Sequence, residues 1–94
     1  MIASFRSKAL KRFWTKNDRA AISADWIKKV HLLLTALDAA TAASDMAFPG
    51  SGFHRLTGDQ AGRYAVTVSR NWRITFGWRE GDAVDVDLED YHGR

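Results

Sequence analysis

The hydrophobic period of this chain changes once, and the change divides it in two. Before residue 50 apolar residues recur every three or four positions: Trp26, Val30, Leu33, Leu34 and Leu37 form the clearest stripe, and Leu10, Phe13 and Trp14 a shorter one. From residue 53 the period is two. Tyr64-Val66-Val68, Trp72-Ile74-Phe76-Trp78 and Val84-Val86-Leu88 each alternate with polar or small neighbours. The first pattern buries one side of a helix, the second one face of a strand. The expected fold is therefore α+β, with two N-terminal helices packed on one face of a curved, mainly antiparallel sheet.

Local signals set the boundaries. One helix is expected from Ser7 through Trp14, broken by Asn17-Asp18. A second starts near Ser23, an N-cap residue with Asp25 in the favourable first turn, and runs to about Ala40. Ile2-Ala3-Ser4-Phe5 reads as a short edge strand. Pro49-Gly50-Ser51-Gly52, Ser69-Arg70-Asn71 and Arg79-Glu80-Gly81-Asp82 read as turns, with Gly81 supplying a positive φ. Ninety-four residues suffice for one core, so residues 1–94 are expected to form a single domain.

Composition removes several function classes. Without cysteine there is neither a disulfide framework nor a thiolate metal site. The first twenty residues are punctuated by Arg6, Lys8, Lys11, Arg12, Lys16 and Arg19, which argues against a secretory signal or a membrane span and makes the cytoplasm the expected location. Charge is uneven. Residues 1–31 carry eight Lys/Arg against two acids, and residues 80–90 carry six acids and no base. A basic segment of this kind suits a polyanion or an acidic protein, and it is equally a solvated helix face.

Residues able to move protons gather late in the chain. Asp90-Tyr91-His92 closes an apolar strand, His54 precedes the glycine-flanked loop Gly58–Gly62, and Arg73 lies on the polar face of its strand. Arg73 is read either as a cross-strand ion pair with Asp85 or Asp87, or as a guanidinium fork for a phosphate. His54, like any lone histidine, has a structural reading, and His31 at the margin of the helical stripe is read as structural. Two histidines with an acid, a phenol and an arginine form a set able to cleave RNA without a metal. A base removes the 2′-hydroxyl proton, an acid protonates the departing 5′-oxygen, and a cation steadies the phosphorane. His54, Asp90 and His92 lack close metal-ligand spacing, and Gly50-Ser51-Gly52 lacks the lysine of a phosphate-binding loop. No metal or cofactor is expected.

Leu56-Thr57-Gly58-Asp59 with Gly62, then Asn71-Trp72-Arg73-Ile74-Thr75-Phe76, Gly81-Asp82-Ala83 and Glu89-Asp90-Tyr91-His92 resemble the HigB toxins of the RelE/ParE superfamily. The opening Met1-Ile2-Ala3-Ser4-Phe5 and Leu37-Asp38-Ala39-Ala40-Thr41 share the resemblance, which spans essentially the whole chain. It implies the toxin of a type II toxin–antitoxin system, a ribosome-dependent mRNA endoribonuclease. A HigA-like helix-turn-helix antitoxin would neutralise it, and DNA would be met only through that complex. The implied catalytic residues are His92, Asp90, Tyr91, Arg73 and His54, with His92 leading proton transfer. Lys8, Lys11, Arg12, Arg55, Arg63 and Arg70 are the expected RNA contacts. Where relatives commonly read His-Pro-Leu-Lys-Gly-Asp, this chain reads His54-Arg55-Leu56-Thr57-Gly58-Asp59, with threonine in place of the family's lysine. Two other functions share the fold: ParE-like inhibition of gyrase, and co-repression of the operon by a toxin that no longer cuts.

Parity adds a geometric demand. Counted by twos, Asp90 and His92 fall with Val84, Val86 and Leu88, away from Arg73. A site joining them to Arg73 needs a bulge, a strong twist or the end of the strand near Glu89.

Overall fold

The computed structural model describes residues 1–91. Helix α1 (Lys8–Lys16) starts at Ser7, whose Oγ accepts the Leu10 N–H at 3.1 Å, as expected of an N-cap serine. It stops at Asn17, which takes the left-handed conformation (φ 55°) while the Asn17 and Asp18 N–H groups close onto the Phe13 and Arg12 carbonyls. Helix α2 (Ile27–Ala39) begins later than the apolar stripe suggests. A 3₁₀ turn, Ala24–Trp26, precedes it, and the Ser23 side chain makes no capping bond; the turn closes through its backbone carbonyl onto the Trp26 N–H.

Among the described residues the sheet has four strands in sequential antiparallel order: β1 (His54–Arg55), β2 (Arg63–Thr67), β3 (Trp72–Arg79) and β4 (Asp82–Asp90). Residues 2–5, expected as an edge strand, make two isolated parallel bridges to β4, Ile2 with Ala83 and Phe5 with Val86. Both helices cover one sheet face. Leu10 and Phe13 of α1 and Val30, Leu33, Leu34 and Leu37 of α2 are buried with Val66, Ile74, Phe76 and Val86. Each large side chain fully withdrawn from water contributes about 1.5–3 kcal/mol, so this layer holds the helices against the sheet.

Strand β4 is not regular, and the irregularity lies earlier than parity required. Thr75 pairs with Asp87 but Gly77 pairs with Val84, so Phe76 stands opposite both Asp85 and Val86. Asp85 is the bulged residue, at φ 51°. Its N–H donates to Ser4 Oγ at 2.8 Å and its carbonyl accepts from Arg63 Nη2 at 2.9 Å, so the two groups that the bulge removes from the ladder are satisfied from both sides. The bulge reverses the parity of what precedes it. Val84, expected on the helix-covered face with Val86 and Leu88, instead lies on the open face against Gly77. That position tolerates it because a Cβ on Gly77 would meet Val84 Cγ2 at 3.2 Å. Beyond the bulge pairing runs on, Leu88 with Ile74, Glu89 with Arg73 and Asp90 with Trp72. Pairing is unbroken at Glu89, and of the three expected irregularities only the end of the strand lies near it, one residue on at Asp90, which itself keeps the ladder's parity.

Candidate active site

Register decides which side chains meet on the open face. His54 pairs with Ala65, Ala65 with Thr75, Thr67 with Arg73, and Arg73 with Glu89, so His54, Thr67, Arg73, Thr75 and Glu89 share that face. Tyr91 joins them: its N–H donates to the Asn71 carbonyl at 2.6 Å and its ring lies under the Arg73 guanidinium, 4.8 Å from Cζ to centroid. Asp90, paired with Trp72, falls on the helix side. His92 lies outside the described residues.

Arg73 is largely withdrawn from solvent, with 16% of its side chain accessible. Its ion-pair partner is neither Asp85 nor Asp87 but Glu89, with Nη2 at 3.5 Å from Oε1, because the bulge shifts the register by one residue. Its Nε is buried and, among the described residues, has no acceptor. Glu89 is better served. Thr75 Oγ1 donates to Oε2 at 2.6 Å and Gln60 Nε2 to Oε1 at 3.0 Å. Burial raises its pKa, and these donors with Arg73 outweigh that, leaving the carboxyl below the usual glutamate range and ionised at neutral pH.

His54 occupies the exposed edge of the same face. Its Nδ1 lies 3.1 Å from the Gly52 carbonyl. A carbonyl only accepts, so Nδ1 carries the proton in the neutral ring and Nε2 keeps its lone pair. Gly52 allows this arrangement: it sits at φ 64°, and a Cβ there would overlap Thr67 Oγ1. From strand spacing His54 and Arg73 are roughly 12 Å apart between Cα atoms. Between the β2–β3 turn and the end of β4 lies an open groove of about 440 Å³ lined by Thr67, Ser69, Arg70 and Tyr91.

The expected RNA contacts divide. Lys8, Lys11 and Arg12 are exposed along α1 and, with Thr15 and Lys16, line a shallow depression of about 220 Å³. Arg70 borders the groove beside Tyr91. Arg55 leans over the Tyr64 ring at 5.9 Å, on the opposite face from Arg73. Arg63 is engaged internally, bonded to Gln60, Thr75 and Asp85; desolvation, with Arg6 nearby, holds its pKa below the ordinary arginine value. Thr57, in the family's lysine position, is exposed and precedes the 3₁₀ turn Gly58–Gln60. Among the described residues no three His, Asp or Glu side chains converge on a metal position, and no helix is long and apolar enough to cross a membrane.

Residues 3–92 match the model of the RelE-like toxins of the HigB type II toxin–antitoxin system. The chain belongs to this family. It is 37% identical over 92 residues to a protein named Endoribonuclease HigB from Proteus vulgaris, covering 98% of this chain and all of that one. It is 30% identical over 93 residues to Toxin HigB-1 of Vibrio cholerae, covering 97% and 98%. The fold resembles that of YafQ from E. coli, with a TM-score of 0.51 at 13% identity over 96% of this chain and 93% of that one. This HigB-like toxin therefore has the RelE-like α+β architecture, with an antitoxin as its partner.

Sequence reasoning missed Glu89, Thr75 and Gln60. Alternation with Ile74 and Phe76 places Thr75 on the polar face and gives no sign that it is wholly buried there. Glu89 was one acid among six, and only the register singles it out.

Proposed function

We propose that this toxin is a ribosome-dependent endoribonuclease that cuts mRNA by attack of a 2′-hydroxyl on the adjacent phosphate. The observation that carries the reading is Arg73: a shielded guanidinium on the open face, stacked on Tyr91, with its Nε donor unused among the described residues. A desolvated, pre-oriented cation is what a phosphorane needs, since its stabilisation requires no rearrangement during reaction. The 2′-oxygen bonds to phosphorus as the P–O5′ bond breaks, leaving a 2′,3′-cyclic phosphate and a 5′-hydroxyl. One group takes the 2′-proton and another supplies a proton to O5′, so no metal is needed.

His92 is assigned the leading proton transfer and Asp90 its partner or a second acid/base group on the family resemblance alone; the register turns Asp90 toward the helix side, so this role requires its side chain to reach the site around the end of β4. His54, with Nε2 as acceptor, and Tyr91 orient or stabilise the phosphate. The exposed lysines and arginine of α1 grip ribosomal RNA through its backbone. A HigA-like helix-turn-helix antitoxin restrains the toxin.

The test is inducible expression with mapping of mRNA ends, comparing the native chain with Arg73→Ala and His92→Ala. New 5′-hydroxyl ends with the native chain, lost in both variants, are expected. Growth arrest persisting in both variants with intact transcripts refutes the reading, and gyrase-linked DNA breaks in its place would assign the toxin to the gyrase-inhibiting class.

A further inference from the structure

Behind the Arg73–Tyr91 pair four side chains close a ring of hydrogen bonds. Arg63 Nε donates to Gln60 Oε1 at 3.2 Å, and Gln60 Nε2 donates to Glu89 Oε1 at 3.0 Å. Returning on the other side, Arg63 Nη2 donates to Thr75 Oγ1 at 2.9 Å, and Thr75 Oγ1 donates to Glu89 Oε2 at 2.6 Å. The ring has one possible sense. Arginine only donates and an ionised glutamate only accepts, so the Gln60 amide and the Thr75 hydroxyl are each fixed in a single orientation. Each Glu89 oxygen thereby already accepts one bond before Arg73 is considered, and the two bonds fix where the carboxylate sits. The carboxylate meets Arg73 at one nitrogen only, at 3.5 Å, and not as the bidentate fork that would satisfy the guanidinium.

We infer that Glu89 is a positioning residue for Arg73, and that the ring of Gln60, Arg63 and Thr75 sets the distance at which it acts. Glu89 anchors the guanidinium over Tyr91, and the ring prevents it from closing on Arg73 and consuming the donors a phosphate would use. The ring also ties the Gly58–Gln60 turn to β4 at the level of the bulge, since the same Arg63 Nη2 binds the Asp85 carbonyl. Arg63 thus acts on the site from behind and does not touch RNA.

This inference rests on the nuclease reading, and a double-mutant cycle separates the two. Single-turnover cleavage of ribosome-bound mRNA is measured for the native toxin, Glu89→Gln, Arg73→Ala and the double variant, each first shown by thermal unfolding to be folded. Glu89→Gln is expected to slow cleavage about tenfold to a hundredfold, the scale of a small misplacement of a reacting group. In the Arg73→Ala background the same change is expected to have no effect. An equal loss in both backgrounds overturns the positioning role while leaving the nuclease reading intact; an Arg73→Ala toxin as fast as the native one overturns the reading itself. Should Glu89→Gln not fold, Gln60→Ala cuts two bonds of the ring from a surface turn and is expected to slow cleavage about two- to tenfold through Arg73 alone. A matched pair at Thr75 adds a rescue: Thr75→Ser keeps the rate and Thr75→Val loses it. Equal rates for serine and valine overturn the role of the ring.

Discussion

Replacing Arg63 by methionine separates an RNA contact from a structural arginine. Methionine keeps most of the aliphatic stem and removes every donor. Two acceptors are then orphaned in the interior: the Asp85 carbonyl, which the bulge has already taken out of the ladder, and the Thr75 oxygen of a fully buried residue. A buried acceptor left unpaired costs about 1–3 kcal/mol. Thr75 still donates to Glu89, so its share is small; the Gln60 bond lies nearer the surface and adds about 0.5 kcal/mol. The expected destabilisation is about 2–3 kcal/mol, a fall in Tm of roughly 10–20 °C for a domain of this size. Thermal and urea unfolding of the purified toxin measure it, with Arg70→Met as the control at an exposed turn, expected within about 0.5 kcal/mol of the native chain. An Arg63→Met toxin as stable as the Arg70→Met toxin would refute the argument that Arg63 holds the bulge.

Further expectations concern pH, backbone and charge. Because the folded pKa of Glu89 lies below its ordinary value of 4.5, its contribution to stability is present above that value and is lost as pH falls through the lower folded value; Glu89→Gln should flatten that part of the acid unfolding curve. At Asp85, held at φ 51°, Asn should be tolerated to within about 0.5 kcal/mol and Val should cost about 1–2 kcal/mol, read by urea midpoints. Lys8→Glu with Lys11→Glu should weaken ribosome association and reduce its salt dependence in sedimentation assays, leaving thermal stability unchanged; an unaltered salt slope would remove α1 from the interface.

The elements were largely legible because each rests on a local rule. The change of period, the Asn17 stop and the turn at Gly81 depend on neighbours a few residues apart, and all three appear in the fold, whereas the capping serine is Ser7 and not Ser23. The bulge was not legible. Val84-Val86-Leu88 alternates without interruption, and nothing in that alternation reveals that Val84 faces Gly77 across the open side. The same limit hid Glu89: the parity of Arg73 was readable, but its opposite number depends on how many residues the bulge absorbs. His54, Arg73 and Tyr91 do share a face, as a phosphate site requires, whereas Asp90 follows the strand's parity to the other side.

The strip formed by residues 2–6 has a consequence for solubility. A bare β4 would offer a long row of unpaired amides and carbonyls as a template for another chain. Here Ala3, Ser4 and Arg6 bond to Ala83 and Val86 along that margin, and the Met1 ammonium closes its far corner on Asp82 at 3.1 Å. The opposite margin, β1, is two residues long and ends in Arg55. The strip thus covers β4 from Ala83 to Val86, and the opposite edge is too short to template a long strand. An N-terminal fusion that displaces Met1 would be expected to expose that part of the margin and to raise the tendency of the chain to aggregate.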